Sequence, residues 1–88
     1  MGNTKSSTVG HHPSAVRIIV LSFKEGVNMN EVERYIRNSR FGRYISSLTI
    51  DQQKQTVTVR GRIDSVALTD GLRKKFKFAK LDSVEDEE

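Results

Sequence analysis

Cysteine is absent from this 88-residue chain, so no disulfide can close a loop and no thiolate can act as nucleophile or soft-metal ligand. Tryptophan is absent too, and the one proline, Pro13, stands near the start. Beyond it, proline removes no backbone donor from a strand or helix. Long apolar runs are missing as well: Ile18 to Leu21 is the longest, against the roughly 20 residues that a membrane-spanning helix needs. The first residues carry neither the apolar stretch nor the small-residue cleavage site of a secretory signal. Small secreted domains also rely on disulfides, so the expected location is cytoplasmic.

Catalytic equipment is equally scarce. Both histidines, His11 and His12, sit side by side near the N-terminus, and the chain has no Walker A, GxGxxG or HExxH pattern. Glu31 and Glu33 are two residues apart on an expected helix and point in different directions, which denies them the shared site that paired carboxylates need. The expectation is a protein that is not an enzyme, takes no small-molecule substrate and needs no cofactor.

What is present is one small domain's worth of core: 35% hydrophobic and 30% charged residues, in a chain too short for a second core. The net charge of +4 conceals a split, because all fifteen basic residues precede Leu81 and five of the eleven acids follow it. A basic body suits anionic partners or plain solubility.

Three segments follow from composition. Residues 1–14 hold Gly, Ser, Thr, Asn, His and Pro with almost nothing apolar, and read as a flexible arm. Residues 15–81 carry the periodic patterns of a folded domain. Residues 82–88 are too acidic and too poor in apolar groups to order by themselves, and read as a disordered tail.

Within the domain, VRIIVLSF is dense in β-branched and aromatic residues and is stopped by Lys24-Glu25-Gly26, the signature of a strand and a turn. Asn30 followed three residues later by Glu33 forms a capping-box variant. Val32, Tyr35 and Ile36 continue at helical spacing, so a helix is expected over residues 31–39, with Gly42 supplying a left-handed ending. Ile45, Leu48 and Ile50, then the alternating TVTVR, predict a β-hairpin around Gln52-Gln53-Lys54. Asp64 caps a second helix over residues 65–76, with Val66, Leu68 and Leu72 as its apolar side and Arg73, Lys74 and Lys75 matched to its C-terminal dipole. Phe78, Ala79 and Leu81 make a short last strand.

The order βαββαβ, closed by right-handed crossovers, implies an α+β, ferredoxin-like sandwich: a four-stranded antiparallel sheet with two helices on one face. Alternation then turns Leu48, Ile50, Val57 and Val59 toward the helices and leaves Ser47, Thr49, Thr56, Thr58 and Arg60 on the open face.

The stretches SAVRIIVLSF, EVERYI, SSLTIDQQKQTVTVRGRID and ALTDGLRKKF resemble a plant-type heavy-metal-associated domain across residues 14–81. The most specific part is IDQQKQTVTVRGRID with the LRKK ending. Metal-carrying members of that family hold their ion in a Met-x-Cys-x-x-Cys loop, which aligns here on Phe23-Lys24-Glu25-Gly26-Val27-Asn28. Glu25 and Asn28 replace both cysteines. They offer hard oxygens in place of the thiolates that select Cu(I), so metal binding is not expected. Phe23 takes the place of the family's buried methionine, and the resemblance implies that it fills the core beneath the loop. Some plant domains of this kind serve as docking surfaces for other proteins, including pathogen effectors. The resemblance therefore implies a metal-deficient interaction module with a protein partner.

Ser47, Thr49, Thr56, Thr58 and Arg60 are the candidate protein-binding residues. The outer hairpin strand, residues 45–51, is an expected sheet edge open to β-augmentation. The same polar residues would also serve simply to keep an open face wet, and both readings stand at this stage.

Two alternatives belong to other classes. One is a copper or zinc carrier with non-cysteine ligands: His11, His12 and Glu25 could contribute, with Met29 as a soft neighbour. The other is a membrane-associated scaffold, since Met1-Gly2-Asn3-Thr4-Lys5-Ser6 fits the N-myristoylation pattern, making Gly2 a candidate lipidation site. One acyl chain anchors weakly, and Lys5 alone is a poor polybasic patch. Nucleic acid is a weaker fit. Arg34, Arg37, Arg40 and Arg43 recur every three residues and could touch phosphates, but the aromatic pattern of RNA-recognition motifs is missing. No sequence-specific nucleic-acid binding is expected.

Overall fold

The computed structural model describes residues 16–87. The chain runs β1 (Val16–Ser22), α1 (Met29–Asn38), a 3-10 turn (Gly42–Tyr44), β2 (Ile45–Asp51), β3 (Thr56–Gly61), α2 (Ser65–Lys75) and β4 (Lys80–Glu87). All pairings are antiparallel and the strand order is β2-β3-β1-β4, so each β-α-β unit is split by a strand of the other. This is the α+β, ferredoxin-like architecture expected from the order of elements, built without cysteine.

The two central strands explain the core. Ile19 and Leu21 of β1 and Val57 and Val59 of β3 share one sheet face and are fully buried. Val32 and Ile36 of α1, and Leu68 and Leu72 of α2, join them in a single cluster, which places both helices on that face. Each such side chain contributes about 1.5–3 kcal/mol through burial. At one end of this layer Phe76 stands edge-on to two rings, with centroids 5.9 Å from Phe23 and 5.8 Å from Tyr35. Thr69 is the one buried polar side chain among the described residues, and its hydroxyl donates to the Ser65 carbonyl at 2.8 Å.

The structure corrects several boundaries. Helix α1 starts two residues earlier than residue 31, because Asn28 is its cap instead of Asn30: the Asn28 Oδ1 accepts from the Asn30 and Glu31 amides at 2.9 and 3.4 Å. That brings Met29 into the core. Gly42 does not adopt a left-handed conformation. Glycine is needed there because a Cβ would collide with the Arg37 carbonyl as the chain folds back beneath α1. Helix α2 is capped by Asp64 as expected, but Val66 lies on its exposed side at 62% exposure. It sits about 200° around the helix from Leu68.

The largest correction concerns residues 82–87. Expected as a disordered tail, they continue β4, which pairs with β1 along its whole length, residues 83–87 lying opposite residues 16–20 beyond a bulge between Val20 and Leu21. Backbone ladder bonds do not depend on side-chain charge, and β1 would otherwise have had a bare flank. Arg17 supplies a local counter-charge to Asp86 at 3.4 Å. The arm expected over residues 1–14 lies outside the described residues, as do Gly2, His11 and His12. Among the described residues, no helix is long and apolar enough to cross a membrane.

Candidate functional site

The sheet face away from the helices is set by register. Ser47 lies opposite Arg60, Thr49 opposite Thr58, and Asp51 opposite Thr56, so Ser47, Thr49, Thr56, Thr58 and Arg60 form one two-strand patch. Ser47, Thr49 and Arg60 are exposed, whereas Thr56 and Thr58 are half-buried by the neighbouring strand. The same registry continues across β1, where Thr58 faces Val20 and Arg60 faces Ile18, and on to Ser83 and Glu85 of β4. Ile18 and Val20 thus give the open face an apolar centre that was not anticipated from the sequence. The segment VRIIVLS is apolar at both parities, so its alternation does not distinguish the core side from the open side. Edge strand β2 has a strand neighbour on one side only. From Ile45 to Ile50 it carries no charge.

Residues 23–28, on which the resemblance aligned a metal-binding loop, form the connection between β1 and α1. Gly26 turns the chain at φ +96°, and the Val27 amide donates back to the Lys24 carbonyl at 3.1 Å. From the hairpin loop, the Gln55 side-chain amide donates to the carbonyls of Lys24 and Val27, both at 3.1 Å, while its own carbonyl accepts from the Phe23 amide at 2.8 Å. Phe23 is buried against Phe76, the position that the resemblance implied.

Among the described residues, the donors of this loop do not make a metal site. Asn28 commits its carboxamide oxygen to the start of α1, two of the loop's carbonyls already accept from Gln55, and Met29 is buried in the core. Glu25 is exposed and stands as a single carboxylate. Among the described residues, no three His, Cys, Asp or Glu side chains come together as a ligand group.

The arginines expected every three residues do not form one helical stripe. Arg34 and Arg37 lie on α1, and Arg37 pairs with Glu33 at 3.0 Å; Arg40 and Arg43 fall beyond the helix end. With Arg62 they border a hollow of about 460 Å³ next to Phe41, Tyr44 and Ile63. Arg62 could not be linked to the other two by spacing. It arrives from the far end of β3, where its amide donates to the Tyr44 carbonyl at 3.2 Å.

Compared with known proteins, the chain matches no family model, and no curated protein is significantly similar to it in sequence.

Proposed function

We propose that this protein is a degenerate heavy-metal-associated domain that works as a non-catalytic docking module for another protein, with no metal and no small-molecule substrate. The observation that carries this reading is β2, an outer strand uncharged from Ile45 to Ile50, running beside the row Ser47, Thr49, Thr58 and Arg60. A partner segment in extended conformation would pair with the outer backbone groups of β2, and the hydroxyl row would read its side chains. Natural edge strands commonly carry charge, proline or bulges that block such pairing; β2 has no proline, its one charge is Asp51 at its end, and its one irregularity is the register shift between Ile45 and Ser47, which leaves Ser47 to Ile50 regular and uncharged. The loop chemistry supports metal independence, since capping and loop closure occupy the groups that a site would require.

The test has two parts. An amide NMR titration of the intact chain with Zn(II), and with Cu(I) under reducing conditions, should show no saturable shift at residues 25–30; saturable shifts there would restore the carrier reading. A photo-crosslinking side chain at Ser46 should capture a partner. Added back in purified form, that partner should slow hydrogen exchange of the β2 amides. Protection confined to other elements would remove the edge-docking reading.

A further inference from the structure

The fold gathers lysines that are far apart in sequence. Ser22, the last residue of β1, pairs with Thr56 on one side and Lys80 on the other. The turn after β1, the hairpin loop, the end of α2 and the α2–β4 connection therefore share one end of the molecule. All six lysines among the described residues, Lys24, Lys54, Lys74, Lys75, Lys77 and Lys80, belong to these segments or, for Lys80, to the first position of β4, and all are exposed. The stretch from Arg73 to Lys80 holds five cations and no acid.

Phe78 stands in the middle of this charge. It is 62% exposed, although its neighbours Phe76 and Ala79 are buried. The exposure is built into the turn: the Ala79 amide donates to the Phe76 carbonyl at 3.0 Å, and the Arg73 guanidinium donates to the Ala79 carbonyl at 3.0 Å. These bonds pin the turn at both sides and leave the Phe78 ring pointing outward. The Lys24 ammonium lies 4.5 Å from its centroid. Glu25, Glu31, Asp51 and Asp82 also lie toward this end, fewer than the lysines. Two of them are engaged locally, Asp51 with the Lys54 amide at 3.1 Å and Asp82 with the Ser22 hydroxyl at 3.0 Å.

We propose that this end docks onto an anionic lipid surface, with the Phe78 ring entering the headgroup boundary and the surrounding lysines meeting the lipid charges. A projecting ring among flexible ammonium groups suits a planar, laterally mobile array of charge. A single-stranded nucleic acid would call for a groove with successive stacking rings. Neither β2 nor the open sheet face takes part, so this proposal and edge docking stand or fall separately. Acylation at Gly2, where the sequence pattern allows it, would supply the second of the two signals that stable anchoring takes.

The test is vesicle sedimentation of the full-length, unacylated chain with phosphatidylcholine vesicles, with and without roughly 30% phosphatidylserine. Binding should require phosphatidylserine and weaken at high salt. Lys74→Glu combined with Lys77→Glu should lower partitioning at least tenfold, since each lysine near the surface contributes about fivefold. Phe78→Ala should lower it about threefold to tenfold without changing the melting temperature. Arg43→Glu with Arg62→Glu, at the opposite end of the fold, should leave binding intact. Absence of binding, or equal losses from the arginine pair, overturns the proposal. So does retention of a single-stranded oligonucleotide by the same lysines without vesicle binding.

Discussion

The side-chain amide of Gln55 donates to the Val27 carbonyl across 3.1 Å, tying the hairpin loop to the β1–α1 connection 28 residues away in sequence. Gln55 does this from a left-handed backbone conformation, φ +55°, which costs a non-glycine residue about 1–2 kcal/mol. Its side-chain bonds offset that strain. Gln55→Ala keeps the strain and loses both bonds, so it should destabilise the protein by about 1–3 kcal/mol. Gln55→Gly loses the bonds and the strain together and should cost less. Urea midpoints of the two variants give the order; alanine more stable than glycine would contradict this account.

Asn28 links the loop to the helix. Asn28→Ala removes the α1 cap and should cost about 0.5–2 kcal/mol, whereas Asn28→Asp should retain stability because a carboxylate accepts the same two amides and favours the helix N-terminus. Chemical denaturation followed by circular dichroism provides the comparison.

The same position tests whether the loop has the shape of a metal site. Glu25→Cys with Asn28→Cys introduces two thiols at the spacing of the heavy-metal-associated motif that the proposed reading invokes. The double variant should bind one Cu(I) under reducing conditions while losing apo stability through the missing cap. If it takes up no Cu(I) although its amide spectrum remains dispersed, the loop does not have the geometry of that motif, and the proposed kinship loses its support.

Burial separates two apolar residues of α2. Leu72 is fully buried, so Leu72→Ala should cost about 2–5 kcal/mol; Val66 is exposed, and Val66→Ala should stay within about 0.5 kcal/mol of the parent. Thermal or urea unfolding of both variants checks the assignment of the helix face.

Ending the chain after Lys80 removes most of β4 and leaves β1 without a neighbour on that side. Amide exchange along residues 16–20 should accelerate sharply in the truncated chain. Asp86→Ala alone should change stability by about 0–1 kcal/mol, because its ion pair with Arg17 is partly exposed and long at 3.4 Å. Similar effects from the two changes would mean that charge, not the backbone ladder, holds the strand.

Much of this was legible in the residues. The order of elements, the hairpin's alternation between Leu48, Ile50, Val57 and Val59 on one side and threonines on the other, and the Asp64 cap all follow from local rules of period and capping. The α1 cap was harder, because Asn28 and Asn30 are both good caps two positions apart. The point where β1 ends, and the burial of Met29, select the first.

By itself, the sequence determined which short segments form helices and strands, which face of the hairpin is apolar, and that no thiol chemistry takes place, since each depends on side chains within a few residues of one another. Tertiary structure decided the rest. It drew an acidic segment into a strand because β1 had a flank to cover, and it placed Ile18 and Val20 at the centre of the open face. It also brought Lys24, Lys54 and the cations of residues 73–80 to one end around Phe78. These features depend on backbone pairing between residues dozens of positions apart, which no local pattern encodes.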